Sequence, residues 1–508
     1  MNSLIQTYTL ENGIHCKKIT VETAIRRGIP GFQIGGASGN QREIAERVKT
    51  ALQSIMIDCP YKSIIVNLAP SGIKKIGSHY DLAIAVSLLF HISDVIKKSF
   101  INTLDLNCTI FIGELSLMGD LIPVQSIHTF IQNAINDGIQ NIILPEKNME
   151  DIVNSLPLNI FPIGNLKEIL NTSLKRESGK IFLKVEKTAS SEFDSYKFPY
   201  HVLRAMMIAA AGWHSILFIG PPGTGKSTAA RLLSYLMPEP NSKELLEIFN
   251  ISHSNSKIKK SYTVQRPIRI PHHTATAKSM VGGGYPVEHG EVTRAHNGIL
   301  ILDEMAEFSR STLQCLREPM QEKNVFIARG SESIKFPANF LFSATSNPCS
   351  CGYLGSNIRA CICKPSSIES YRKKLMGPLR DRIELEVIVD GGKENNSTLR
   401  YSDIKALIGK AIQAQNRRFK NYRYNFNSEI EENDLAHLCS LEDVEGAEML
   451  FNSTRFSHRV ISGITRIART IADLSGNEKI KSENLMEALS FRILDEYWPE
   501  SSSHFIKK

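Results

Sequence analysis

Eight consecutive residues near the middle of the chain, Gly220, Pro221, Pro222, Gly223, Thr224, Gly225, Lys226 and Ser227, have the makings of a phosphate cradle. Glycines let backbone N–H groups turn inward around phosphate oxygens, a lysine reaches the β- and γ-phosphates, and a hydroxyl ligates Mg²⁺. Farther along, Asp303 and Glu304 close the apolar run Ile299, Leu300, Ile301, Leu302. Asp303 is placed to hold Mg²⁺ through water, and Glu304 to polarise the attacking water, because hydrolysis needs a base beside the γ-phosphate. Asn347 follows a third apolar run, residues 340–345, and its amide is suited to sensing the γ-phosphate and orienting that water. The chemistry these residues imply is Mg²⁺-dependent hydrolysis of ATP.

Such residues work only if elements aim them at one point. Residues 216–219 read as a buried strand running into the glycine-rich loop, and residues 228–233 as the helix that leaves it. Strand, loop and helix in that order put the phosphates at a positive helix N-terminus. The runs ending at Asp303 and Asn347 read as neighbouring strands, and open α/β sheets bind ligands at the C-terminal ends of their strands.

Three blocks follow from the pattern of the whole chain. Residues 1–170 mix short apolar strands (63–68, 109–112, 141–144) with helices. A Lys/Glu/Ser-rich stretch, 171–195, reads as a linker. Residues 196–390 alternate helices and strands as a nucleotide-binding α/β domain, and residues 391–508 are mostly helical. In that last block Val460, Ile461, Ile464, Ile467, Ala468 and Ile471 recur at helical spacing, the stripe of a long buried helix.

At 508 residues the chain is expected to form two to four domains, and its formal charge of +8 permits nucleic-acid binding without requiring it. A lysine group, Lys257, Lys259 and Lys260, adds little, because such groups are usually solvated loops. The first residues lack a charged segment leading into an apolar core, and no run approaches membrane-spanning length, so a cytoplasmic protein with no membrane partner is expected. Four of the nine cysteines, Cys349, Cys351, Cys361 and Cys363, crowd into one short segment. Two Cys-x-Cys pairs can close a tetrahedral, structural Zn²⁺ site, although the spacing is tighter than common zinc motifs and is equally compatible with reduced thiols.

Several longer segments resemble the YifB/ComM family of magnesium-chelatase-like AAA+ ATPases. They are Arg266-Pro267-Ile268-Arg269-Ile270-Pro271-His272-His273, Val281-Gly282-Gly283-Gly284, Ala295-His296-Asn297-Gly298, Ser346-Asn347-Pro348-Cys349-Ser350-Cys351-Gly352-Tyr353, Gly377-Pro378-Leu379-Arg380-Asp381-Arg382-Ile383 and Ala468-Arg469-Thr470-Ile471-Ala472-Asp473-Leu474. The resemblance implies an AAA+ P-loop core with a helical lid, working as a homo-oligomeric, hexameric ring with each ATP between subunits. Arg382 matches the arginine finger aimed at a neighbour's γ-phosphate, with Arg380 beside it where relatives carry leucine. Arg459 matches a sensor arginine gripping the nucleotide of its own chain. Two departures stand out: Tyr196-Lys197-Phe198-Pro199 replaces the segment that relatives place near adenine, and Glu288 stands where relatives tend to be basic.

Residues 1–165 resemble the α+β, Lon-protease-like first domain of the same family. His79 occupies the place of the Lon serine and His128 that of its lysine, with Ser78 one position off, so a non-proteolytic module is expected. The function implied is a motor on single-stranded or branched DNA, a branch-migration helicase or translocase in recombination or natural transformation. A chelatase-type motor for metal insertion and a Lon-like protease are the alternatives. His272 and His273 are expected to face substrate or to pack, rather than to bind metal.

Overall fold

The computed structural model describes residues 4–11, 15–36, 41–70, 75, 77–125, 127–153, 156–179, 182–185, 190–253, 261–284, 288–329, 332–356, 359–376, 379–390, 399–441, 444, 447 and 456–492. Lys257, Lys259, Lys260, Gly377 and Pro378 lie outside the described residues. Two compact units make up the chain: Met1–Lys184 with Phe249–Val264, and Val185–Ile248 with Gln265–Lys508.

The first unit is built on a seven-stranded mixed sheet. From one edge the strands are Gly31–Gly35, Ser63–Ala69, His15–Arg26, Ile5–Glu11, Thr109–Phe111, Asn141–Pro145 and Asn159–Ile163. Helix Asp81–Ile92 carries nine buried residues, Asp81 to Leu89, and is a core helix. Helix Gln41–Ser54 is amphipathic, burying Ile44, Ala45, Val48, Ala51 and Leu52 at helical spacing.

The expected linker is not featureless. It contributes strand Phe182–Val185, paired with Ser261–Val264, and a short helix, Ser190–Asp194. Phe182, Leu183 and Val185 stand in a Lys/Glu/Ser-rich stretch, and four residues without alternation are too short to read as a strand in isolation.

The second unit holds a five-stranded sheet in the order Ile268–Arg269, Ile299–Leu302, Leu341–Ser346, Ile216–Ile219, Leu385–Ile388, with every neighbour parallel. Ile216–Ile219, Ile299–Leu302 and Leu341–Ser346 are buried along their whole lengths. Parallel strands covered on both faces read as unbroken apolar runs, which is how they stand in the sequence.

Helix His458–Leu474 buries the expected stripe, Val460, Ile461, Ile464, Ile467, Ala468 and Ile471. Its apolar face joins Ala209, Ile216 and Phe218 in one continuous core with helix Tyr200–Gly212. His214 reinforces that junction, with Nδ1 2.7 Å from Glu384 Oε2 and Nε2 2.7 Å from Thr470 Oγ1. The C-terminal helices therefore belong to the same compact unit as the sheet.

Candidate functional site

The C-terminal edge of the parallel sheet gathers the residues picked out by type and spacing. Ile219 pairs with Ser346, and Leu302 with Ala344, so Gly220, Asp303 and Asn347 follow parallel strands whose ends lie within two residues of one another. Gly225, at φ 89°, starts the helix Lys226–Leu236 from the left-handed region, which a side chain would disfavour. Lys226 Nζ folds over the mouth of the loop, donating to Gly220 O at 2.8 Å and Pro221 O at 2.6 Å. Burial pushes the lysine below its ordinary range, against the opposing pull of Asp303 and Glu304.

Ser227 Oγ donates to Asp303 Oδ1 at 2.8 Å, and Thr345 Oγ1 reaches the same oxygen at 2.6 Å. Glu304 sits at φ 54°, a left-handed turn that costs on the order of 1 kcal/mol for a residue with a Cβ. Its N–H is held by Thr345 Oγ1 at 3.0 Å, which leaves the carboxylate exposed beyond the strand end. These atoms fit Mg·ATP: an anion cradle, a hydroxyl and carboxylate in contact, and a second free-standing carboxylate.

Asn347 is partly buried beside the loop, since Gly220 N donates to Ser346 O at 3.2 Å. Thr345, Gln321 and Tyr371 are the residues missed from sequence. Thr345 was legible in principle as the hydroxyl at the end of a strand adjacent to the acidic one, two positions before Asn347.

The two arginines assigned by resemblance stand elsewhere. Ser215, which precedes the phosphate-loop strand, donates through Oγ to Arg382 O at 2.7 Å. Arg382 Nη2 and Arg459 Nη2 both donate to Gln321 Oε1, at 3.2 and 3.1 Å. Both arginines line a cavity of about 700 Å³ with Ser215, Asn339 and Phe340, at the N-terminal edge of the sheet. The four-residue strand Ile216–Ile219 separates Ser215 from Gly220, about 16 Å at extended rise. Arg459, expected to grip the nucleotide of its own chain, lies beside Arg382 at this edge. Burial, then Arg459 and Arg317, push the Arg382 guanidinium below its ordinary range, the mark of a concentrated positive site. Arg466 is engaged with Ile430 O at 2.8 Å.

The four cysteines come together, with all four sulfurs within 4.8 Å of one another. Sulfur separations are 3.4 Å for Cys349 to Cys351, 3.7 Å for Cys349 to Cys361 and 3.6 Å for Cys351 to Cys361. Tetrahedral Zn–S bonds of about 2.3 Å require sulfurs about 3.8 Å apart, so the donor set fits zinc. Cys351 N also donates to Cys363 Sγ at 3.3 Å.

The remaining motif residues split between structure and surface. Arg266 is buried on Glu244 at 3.0 Å, Asn297 O at 2.7 Å and the Trp213 ring at 4.9 Å. Arg269 forks onto Glu291 at 2.7 and 2.9 Å. His272 and His273 are exposed, ring centroids 4.1 Å apart, just after the edge strand Ile268–Arg269, and Ile268 and Ile270 beside them are exposed too. Phe198 is buried and stacks on the exposed Tyr196, and Glu288 is exposed. In the first unit His79 is buried, its Nε2 2.8 Å from Tyr8 O and its ring against Phe130, while Ser78 Oγ donates to the Glu114 carboxylate. His128 packs edge-on to Phe249 at 5.3 Å.

Three family models match consecutive stretches of the chain: subunit ChlI of Mg-chelatase over residues 21–148, magnesium chelatase subunit ChlI over 195–397, and its C-terminal part over 400–492. The chain is 31% identical over 501 residues to the competence protein ComM of Haemophilus influenzae, spanning 95% of this chain and 96% of that protein. It is 32% identical over 494 residues to the uncharacterised protein YifB of Salmonella typhimurium, with the same coverage. Identity to YifB of Escherichia coli is 31% over 492 residues, 95% of this chain and 96% of the other. Among the described residues no helix is long and apolar enough to cross a membrane.

Proposed function

Because the chain belongs to the YifB/ComM family of magnesium-chelatase-like AAA+ ATPases, we propose that it is an ATP-driven ring motor acting on DNA, a branch-migration helicase or translocase serving recombination or natural transformation. Family membership carries the ATPase role, with ATP and Mg²⁺ as cofactors. The DNA substrate rests on end-to-end similarity to a protein named for competence, supported by the net charge of +8.

In this reading residues 220–227 would hold the triphosphate, and Ser227 and Asp303 would hold Mg²⁺, whose charge would offset that of the transferred phosphate. Glu304 takes the proton from the attacking water, and Asn347 orients that water.

The single observation that carries the ring is the placement of Arg382 and Arg459 across the sheet from the phosphate loop of their own chain. Two guanidiniums converging on one neutral oxygen favour an anion between them. In a ring, a neighbour's γ-phosphate is that anion, so both arginines act in trans. The four thiols are read as a structural Zn²⁺ site, with no open ligand position. The first unit is read as a Lon-like fold without the serine–lysine pair, serving assembly or DNA engagement.

ATP hydrolysis by the purified protein, alone and with single-stranded, duplex and four-way-junction DNA, tests the reading beside a Lys226→Ala control. Stimulation by DNA that is lost in the control and weakened by salt supports it, since phosphate contacts are salt-sensitive. Hydrolysis indifferent to every DNA would leave an AAA+ ATPase and remove DNA as its substrate.

A further inference from the structure

The cysteine cluster is not an isolated staple. Its first member, Cys349, follows Asn347 by two residues, and its last, Cys363, is followed by helix Pro365–Met376. That helix returns to the same turn, where the Tyr371 hydroxyl lies 3.2 Å from Ser346 Oγ. The chain thus leaves the end of the strand, passes through the four sulfurs and comes back to the residue before Asn347.

Inside the loop, Gly352 at φ 85° touches the phosphate cradle. A Cβ added there would stand 2.8 Å from Pro222 Cδ, 2.9 Å from Pro222 Cγ and 3.9 Å from Asn347 Cγ. One methyl group would therefore collide with the phosphate loop itself. Ser350 Oγ ties the two arms of the loop together, 3.2 Å from Cys363 Sγ.

Of the four sulfurs only Cys349 is buried, and S–H groups are weak hydrogen-bond donors. A divalent cation that displaces the thiol protons would draw the four sulfurs into a single rigid knot.

We propose that one Zn²⁺ bound by Cys349, Cys351, Cys361 and Cys363 makes this loop a wall of the nucleotide site, fixing Pro222 and Asn347, so that metal occupancy sets nucleotide affinity. This goes beyond a structural zinc site and rests on reading the cluster as one. The ion does no chemistry on ATP. It positions two elements that do.

The test pairs metal analysis with nucleotide binding, using full-length protein. Wild type should contain one zinc per chain by plasma mass spectrometry and bind fluorescent mant-ADP tightly. A Cys361→Ser/Cys363→Ser double variant should lose the zinc and bind mant-ADP about tenfold or more weakly, the scale of losing a residue's support. Gly352→Ala should keep its zinc and still bind mant-ADP about as weakly, because the added methyl presses on Pro222. Wild type without zinc would sink the zinc reading itself. Zinc-free double variant with wild-type affinity would overturn the coupling while leaving the zinc site in place. If the double variant fails to fold by circular dichroism, Gly352→Ala decides: zinc-loaded, folded and with unchanged affinity, it overturns the proposal.

Discussion

Thr345 Oγ1 stands 2.6 Å from Asp303 Oδ1, reaching across from the neighbouring strand of the sheet. The same hydroxyl accepts from Glu304 N at 3.0 Å, so one threonine aims the acid proposed to hold Mg²⁺ and braces the turn that presents the proposed base. Thr345→Val should raise the Mg²⁺ concentration for half-maximal ATPase by about ten- to a hundredfold, as loss of a ligand's hydrogen-bond partner does. An unchanged Mg²⁺ dependence would show that the strand alone aims Asp303.

Lys226 and Glu304 should separate binding from chemistry. Lys226→Ala removes the cation at the phosphates and should abolish mant-ATP binding. Glu304→Gln keeps the shape and loses the base, so binding should persist while kcat falls by about 10²- to 10⁴-fold. Isothermal titration beside steady-state rates reads both, and loss of binding in Glu304→Gln would reassign that residue to nucleotide affinity.

Arg382→Ala and Arg459→Ala should each lower kcat by roughly three decades or more, with nucleotide affinity of the isolated chain unchanged. Mixing Arg382→Ala with Lys226→Ala subunits should restore activity, because an intact loop can then meet an intact arginine. No recovery in mixed assemblies would contradict action in trans. Gln321→Leu, which removes the oxygen shared by the two guanidiniums, should lower kcat without moving KM.

Most of the phosphate site was legible because its residues lie at strand ends, where an apolar run announces the strand and the next polar residue its tip. Asp303, Glu304 and Asn347 follow that rule, while Lys226 is marked by the glycine-rich loop that joins its strand to its helix. The placement of Arg382 and Arg459 was not legible, because it depends on how the C-terminal helices pack under the sheet, a contact among residues such as Ile464 and Ala209 that are far apart in the chain. Gln321 gives no local signal at all, being one exposed polar residue on a six-residue helix, Arg317–Glu322. The cysteines announced a cluster through their crowding, whereas Gly352 against Pro222 is a tertiary contact that no spacing encodes.

Acid should loosen the first unit through His79. Burial drives this histidine down to about 4, outweighing the Tyr8 carbonyl and Glu114. A histidine held below its unfolded value contributes fully above pH ~6.5, and the contribution is lost as pH falls towards 4, on the order of 3 kcal/mol in all. Asp81, which burial raises to about 6 in spite of Arg47, works in the opposite sense, since the folded state takes up its proton first. Comparing urea unfolding of wild type and His79→Gln cancels Asp81, and the variant should lose less stability between pH 6.5 and 4. Equal losses would mean that His79 titrates normally.

The unbroken apolar core shared by the sheet and the C-terminal helices also limits how hydrolysis can be turned into movement. A lid joined by a flexible hinge could swing with each nucleotide exchanged, but here swinging would tear open a close-packed interior and the His214 bridge to Glu384 and Thr470. In the proposed ring motor the whole second unit would therefore move as one lever arm. Its stroke would be delivered at the joints between subunits, where one chain's phosphate loop would meet the next chain's arginines.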